Sequence, residues 1–316
     1  MYSRLKIFSG NANIELANEV AKYTGIPLSD AEVFKFSNDN TFVKINENVR
    51  GADTFIIQPT CYPVNDSLME LLIMIDALKR ASAQRINCVI PYFGYARTDK
   101  KDQPRVPITA KLIADILTTA GANRIVAMDL HSSQIQGFFN IPVDHLSALP
   151  IFTRYFKAHL DLTDAVVVSP DTGGTDRARS LAKKLRCGIA IGDKRRTGND
   201  NKSVVLNIIG DVKDKTAIIF DDIIDTGGSL TKIAKVLIEQ GAKKIFAACS
   251  HGILSGDAVK NLENSPIEKL FITNSIPLSD KDKVNCKKIV QLSIAELLAI
   301  AIKKIHTEES LSILFR

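Results

Sequence analysis

IIFDDIIDTGGSL, residues 218–230, runs from an apolar, β-branched segment into aspartates at 221, 222 and 225, then into Thr226, Gly227, Gly228 and Ser229. An apolar run that meets glycines and then a 3.6-periodic segment reads as a strand turning into a helix. The strand is expected to end near 222, and the helix to run from 230 to 240, ahead of Gly241. At the carboxyl edge of an open α/β sheet, such a helix start presents unpaired amides to a phosphate. Gly227 and Gly228 allow close backbone approach and positive φ, while Thr226 and Ser229 add hydroxyl donors. Asp221, Asp222 and Asp225 are acceptor-only groups, so beside an anion they face sugar hydroxyls or a magnesium ion. A lone D-T-G-G would fit an ordinary acidic turn equally well; strand, acid pair, third acid and T-G-G-S in working order point to function.

The same strand signal recurs as TFIIQ at 54, INCVIP at 86, RIVAMDL at 124, AVVVSP at 165 and KIFAACSH at 244. Helix-sized segments lie between them. One spans 67–83, with Ser67 and Glu70 spaced as a capping box; another spans 108–120, after Pro107 and before Gly121. Strands alternating with helices predict an α/β protein with mainly parallel sheets flanked by helices. Two long polar stretches, 94–107 and 192–203, read as functional or mobile loops. Prolines in NIPVDHLSALPIF suggest a boundary near 150, and both halves show the same alternation, so two tandem copies of one fold are possible.

At 316 residues and 45% apolar content the chain is long enough for two domains. Its formal charge of +6 is spread along the sequence, which favours anionic small molecules over nucleic acid. The apolar runs LMELLIMIDAL and IAELLAIAI are too short to span a bilayer. With no apolar leader at the N-terminus and five scattered cysteines without a C-x-x-C pair, a reduced cytoplasmic protein without membrane partners is expected.

Residues 218–230 resemble the phosphoribosyl-diphosphate binding motif of the type I phosphoribosyltransferase fold. From end to end the chain resembles the ribose-phosphate diphosphokinase family, through KIFSGNAN at 6, KFSNDNT at 35, LMELLIMIDALKRASA at 68, PYFGYARTDKKD at 91, MDLHSSQIQGFF at 128, VVSPDTGG at 167, GDVKDKTAIIFDDIIDTGGS at 210 and SLSILF at 310. That resemblance implies two phosphoribosyltransferase-like domains, 1–149 on the ATP side and 150–305 with the ribose 5-phosphate site, and a tail, 306–316, packing back on the first. It also implies transfer of the β,γ-diphosphoryl group of Mg-ATP to the C1 hydroxyl of ribose 5-phosphate, giving phosphoribosyl diphosphate and AMP.

By the same resemblance, Lys194 and Arg196 in the charged 192–203 loop are the catalytic cations, stabilising the migrating group electrostatically. Arg196 with Asp221, Asp222, Asp225 and Thr226 to Ser229 holds the ribose 5-phosphate; Asp171, and His131 directly or through water, hold magnesium. ATP is expected at Phe36, Asn38, Asp39 and Asn40, with Arg97 and Thr98 on its phosphates or purine, and at Asp99, Asp102 and His131. Two positions depart from the pattern: many members carry Glu where this chain has Asn40, and Gln where it has Thr98. A regulatory phosphate or ADP site, built by several chains of a homohexamer with inorganic phosphate as activator, is implied at Arg50, Ser82, Arg105, Ser310 and Ser312. Asn48 stands there where serine is common. No residue is singled out as general base. A transferase consuming phosphoribosyl diphosphate, and a non-catalytic regulatory subunit, are the alternatives; the N-terminal half speaks against the first, the short cationic loop against both.

Overall fold

The computed structural model describes residues 4–196, 204–280, 282 and 286–315. The chain divides into two compact units, one of Met1–Ser147, Ser275–Pro277 and Ser293–Arg316, the other of Ala148–Asn274 and Leu278–Leu292.

In the first unit, β1 (Leu5–Ser9), β4 (Asp53–Ile57), β5 (Arg85–Ile90), β6 (Arg124–Met128) and β7 (Val143–Leu146) form one parallel sheet in the order β1-β4-β5-β6-β7. Every residue of β4 is buried, as a strand covered on both faces requires. Alternate strand residues such as Ile56, Cys88 and Ile125 pack with Leu71, Met74 and Ile75 of α2 (Val64–Arg80) and Ala114 and Leu117 of α3 (Thr109–Ala120). Helix α1 (Ile14–Thr24) lies against α8 (Ala295–His306), where Lys303 donates to the Tyr23 carbonyl at 3.2 Å. A separate antiparallel ribbon, β2 (Ala31–Lys35) and β3 (Thr41–Ile45), stands beside α2.

The sequence reading returned only 306–316 to this unit; in the structure the whole segment from 293 belongs to it. A buried carboxylate ties the segment in place. Asp53 is fully buried and accepts from Arg85 Nε at 3.0 Å and Nη2 at 2.5 Å and from Asn87 Nδ2 at 2.8 Å, with His306 Nδ1 2.8 Å away. Arg85 also lies 3.7 Å from Glu308, beyond the end of α8.

Two local expectations are corrected. The Ser67–Glu70 capping box does not form, because α2 begins three residues earlier, after Pro63, and both side chains find distant partners: Ser67 donates to the Cys61 carbonyl at 3.0 Å, and Glu70 accepts from the Asn11 backbone at 2.5 Å and from Gln58 at 2.8 Å. The stretch from 192 is no loop at first. It continues strand β9 as far as Arg196, and 197–203 lie outside the described residues.

In the second unit, β8 (Ala165–Ser169), β9 (Gly188–Arg196), β10 (Val204–Ile209), β11 (Thr216–Ile224), β12 (Lys244–Gly252), β13 (Lys269–Thr273) and β14 (Ile289–Leu292) form a sheet ordered β10-β9-β8-β11-β12-β13-β14. Only the β9–β10 pair is antiparallel. Ile219, Ala247 and Ile272 pack with Ile233, Ala234 and Leu237 of α6 (Gly228–Glu239) and Leu262 of α7 (Ala258–Glu263). Helices α4 (Leu149–His159) and α5 (Thr175–Leu185) also belong to this unit. All five cysteines are free thiols, and among the described residues no helix is long and apolar enough to cross a membrane.

Asp53→Ala would leave Arg85 without its buried counter-ion, and removing one partner of a buried pair costs about 3–5 kcal/mol. Urea denaturation followed by circular dichroism should show a destabilisation of that order. A loss below about 1 kcal/mol would mean the network contributes no more than a surface pair.

Candidate active site

The site in the second unit is built where β8 and β11 reach the same edge. Their parallel register pairs Thr216 with Ala165 through to Ile219 with Val168. β11 extends through Ile224, two residues beyond the expected end, so Asp221 and Asp222 lie within the strand. Helix α6 starts at Gly228, two residues earlier than expected, and Gly227 caps it in the left-handed region at φ 71° with no side-chain hydrogen bond. The first amides of α6 therefore have no partner within the helix, and Thr226 and Ser229 are exposed beside them. A Cβ on Gly227 would be strained by that φ and would sit 3.7 Å from the Ala258 carbonyl.

This turn is supported from behind by the chain after β12 and by α7. Ile253 donates to the Ile224 carbonyl at 2.9 Å, Asn261 donates to the Thr226 carbonyl at 3.3 Å, and the Ser255 hydroxyl donates to Asp225. The facing loop after β8 is fixed by Ser169 Oγ donating to the Asp171 carbonyl at 2.6 Å and by Gly174 N–H donating to Asp171 Oδ1 at 3.1 Å. A Cβ placed on Gly174 would lie 2.9 Å from Ser169 Oγ, 3.8 Å from Asp221 Oδ1 and 3.9 Å from Asp171 Oδ1. One glycine thus keeps two carboxylates facing a common space. Asp171 and Asp221 are brought to one space.

Arg177, on the first turns of α5, bridges the acid pair with one nitrogen, at 3.3 Å from Asp221 Oδ1 and 3.0 Å from Asp222 Oδ1. Asp222 is buried, while Asp221 is partly open and also accepts from the Asp222 amide at 2.9 Å. Burial, followed by the neighbouring Asp222 carboxyl, pushes Asp221 up to about 8; Arg177 opposes the shift without cancelling it.

Lys194 and Arg196 stand on β9, opposite Leu206 and Val204 of β10, and their side chains lie outside the described residues. β9 passes close to the Asp171 loop: a Cβ on Gly192 would meet the Pro170 carbonyl and the Ile233 side chain, each at 2.8 Å. The strand that carries both cations is therefore held against the acid-bearing loops by a glycine-only contact.

In the first unit, Asn38, Asp39 and Asn40 form the tight end of the β2–β3 ribbon. Phe36 N–H donates to the Asn40 carbonyl at 2.9 Å, Asp39 takes φ 68°, and Lys35 Nζ lies 2.8 Å from Asp39. Phe36 is exposed and touches Phe34 and Phe42, with ring centroids at 5.3 and 5.4 Å. Arg97 and Thr98 follow β5 on exposed chain; the Thr98 hydroxyl already donates to the Tyr95 carbonyl at 2.7 Å. Asp99 is half-buried and Asp102 exposed on the same loop. His131 is exposed after β6, where Leu130 N–H donates to His145 Nε2 at 2.8 Å and Ser147 Oγ to Asp129 at 2.9 Å. Of the regulatory residues, Arg50 and Ser82 are brought side by side through Gly51 N–H to the Ser82 carbonyl at 2.9 Å, and Ser310 donates to Ser312 at 3.0 Å. Arg105 is an exposed left-handed residue at φ 67° on the 94–107 loop, with no hydrogen bond to either pair.

A profile of the N-terminal domain of ribose phosphate pyrophosphokinase matches residues 5–121, and one of the phosphoribosyl synthetase-associated domain matches 197–316. The ribose-phosphate pyrophosphokinase of Clostridium perfringens is 55% identical over 99% of this chain and 98% of its own. The chain belongs to the ribose-phosphate pyrophosphokinase family. Another member, from Caldanaerobacter subterraneus, is 55% identical over 98% of each chain. The crystal structure of phosphoribosylpyrophosphate synthetase from Mycobacterium smegmatis, 42% identical, superposes with a TM-score of 0.92 over 97% of this chain and 100% of that one. The family membership agrees with the fold class and the enzyme class that the resemblance implied. Arg177, Ser255 and Asn261 were missed by sequence reasoning; the one available signal was that an acid pair at a strand end needs a cation, and PDTGGTDR supplies one six residues after Asp171.

The raised Asp221 sets a pH dependence. Its folded value lies above the ordinary 3.8, so its contribution to stability is complete below about pH 4 and lost as pH rises towards 8. Asp221→Asn should therefore gain stability relative to the parent between pH 5 and pH 9. Guanidinium titrations at both pH values measure this, and a constant difference would contradict the assignment.

Proposed function

We infer that this protein transfers the β,γ-diphosphoryl group of Mg-ATP to the C1 hydroxyl of ribose 5-phosphate, yielding phosphoribosyl diphosphate and AMP. The observation that carries this reading is the open start of α6 directly behind an acid pair at the sheet's carboxyl edge. Amides of Gly228 and Ser229, with the Thr226 and Ser229 hydroxyls, receive the 5-phosphate. Asp225, held by Ser255, and Asp221 accept from the ribose hydroxyls. Lys194 and Arg196 spread positive charge over the migrating group, the main task in such a transfer.

Magnesium suits the oxygen donors here, since Asp171 and Asp221 face one space that a single added methyl would fill. Among the described residues no three metal-binding side chains converge, and Mg²⁺ is commonly held by one or two carboxylates plus substrate phosphates. Asp171 is the oxygen ligand of this proposal. When bound, the ion would neutralise charge on the phosphate oxygens. Phe36 offers a face to the adenine, with Asn38, Asp39 and Asn40 at the ribbon end, and Arg97, Thr98, Asp99 and Asp102 on the ATP side. The Thr98 hydroxyl is already bonded to the Tyr95 carbonyl and Asn40 is shorter than Glu and uncharged, so both side chains reach less far towards a nucleotide than Gln and Glu would.

A cytoplasmic homohexamer activated by inorganic phosphate and inhibited by ADP completes the proposal. The contiguity of Arg50 with Ser82, and of Ser310 with Ser312, supports it. Gel filtration with and without phosphate tests the assembly.

Incubation with ATP, ribose 5-phosphate and magnesium should release AMP and phosphoribosyl diphosphate. Turnover of a nucleobase with phosphoribosyl diphosphate instead would establish the transferase alternative, and silence in both mixtures the regulatory-subunit one. Lys194→Ala should lower kcat by about 100-fold or more, in line with the loss of a transition-state cation, while calorimetry still detects ribose 5-phosphate binding. Asp225→Asn should instead weaken that binding by about tenfold, the worth of one charge-assisted hydrogen bond. Unchanged affinity would remove Asp225 from the sugar site.

A further inference from the structure

We infer that Arg177 is a positioning residue for ribose 5-phosphate: its guanidinium locks the Asp221–Asp222 pair and couples the start of α5 to the end of β11. The inference rests on the assignment of the 225–229 turn to the sugar phosphate.

Asp222 is 4% exposed at its side chain and lies 3.0 Å from Arg177 Nη1. A carboxylate so buried requires a cation or a proton. The same nitrogen reaches Asp221 Oδ1 at 3.3 Å, so one guanidinium meets an oxygen of each acid. Asp221 projects towards the space it shares with Asp171, whereas Asp222 is turned inward. Asp222 therefore acts through Arg177: it anchors the guanidinium, which then holds the orientation of Asp221.

The position of Arg177 on the fold gives the bridge its second effect. Arg177 follows the glycine loop in which Gly174 donates to Asp171, and the acids sit on the next strand of the sheet. The bridge ties the first turn of α5, which begins directly after that loop, to the β11 residues that lead into the 225–229 turn, independently of any ligand. Asp171 and the Asp221–Asp222 pair lie near a site that, on this reading, admits the negatively charged phosphate of a sugar. An internal cation a few ångströms behind them offsets that repulsion while leaving the front of Asp221 open, at 28% exposure, to accept from a hydroxyl. Arg177 itself is only 25% exposed. It acts through the acids.

The experiment is steady-state kinetics with ribose 5-phosphate varied at saturating Mg-ATP, on the full-length protein, for Arg177→Gln, Arg177→Lys and the double variant Arg177→Gln with Asp222→Asn. Arg177→Gln should raise KM for ribose 5-phosphate by about tenfold or more with kcat within about threefold, the split expected when binding is lost and chemistry kept. Arg177→Lys, which keeps a charge able to bridge the acids, should recover most of the affinity and leave about a threefold deficit in KM. The double variant should return part of the way towards the parent, since removing the buried acid removes the need for its cation. An unchanged KM with collapsed kcat would place Arg177 on the reacting phosphates and overturn the inference. An unchanged KM with a lowered melting temperature would make it a purely structural pair, with the same consequence. Should Arg177→Gln fail to fold, Arg177→Lys decides: a raised KM with kcat kept supports the role, and parental values for both refute it. Absence of turnover in the parent would sink the functional reading itself, whereas an active parent with unshifted variants sinks only this assignment.

Discussion

The in-register parallel pairing of β8 with β11 is the constraint on which the site depends. Because Ala165 to Val168 run beside Thr216 to Ile219, both chains reach one edge together and open there into glycine-bearing turns. Each turn leads into a helix, α5 after Gly174 and α6 after Gly227, so two helix starts share that edge. Their partial positive charge favours an anion, but each is worth only about 0.3–1 kcal/mol. The penalty for a buried carboxylate is several kcal/mol per ion. The dipoles can help receive a phosphate; they are too weak to hold Asp222 charged inside the protein, and the fold supplies Arg177 for that.

The parts of this architecture legible in the sequence were those whose cause is local. TFII, AVVVS and KIFAACSHG are strands buried on both faces, and continuous apolar character is the direct signature of such burial. The phosphate turn was legible because positive φ at Gly227 leaves glycine as the residue that fits. The β2–β3 ribbon left little trace, since Phe34 and Phe36 are exposed and Glu32 and Lys35 stand among them. β9 was read as loop from Gly192 onward because Lys194, Arg195 and Arg196 look like solvated chain; its pairing partner begins only at Val204.

Whatever depended on long-range partners was hidden. Ser67 and Glu70 have capping-box spacing, yet the Cys61 carbonyl and the Asn11 amide outcompete the helix end for them. Arg177 and the acids it bridges are separated by 44 and 45 positions, so periodicity could not join them. Residue roles on the nucleotide side, and those of Lys194 and Arg196, came from resemblance. The structure adds the backbone that presents them: a ribbon end, a strand held by Gly192, and a turn before His131 pinned by His145.

The contact between Asp53 and His306 spans 253 positions of chain. At a synthesis rate of about 5–20 residues per second, that separation corresponds to a wait of roughly ten to fifty seconds on the ribosome. Throughout it, α1 is without α8, and Asp53 is without its imidazole neighbour. The second unit emerges almost whole before the first can close. An N-terminal fragment released early would leave the side of α1 that α8 covers open to other nascent chains and to proteases.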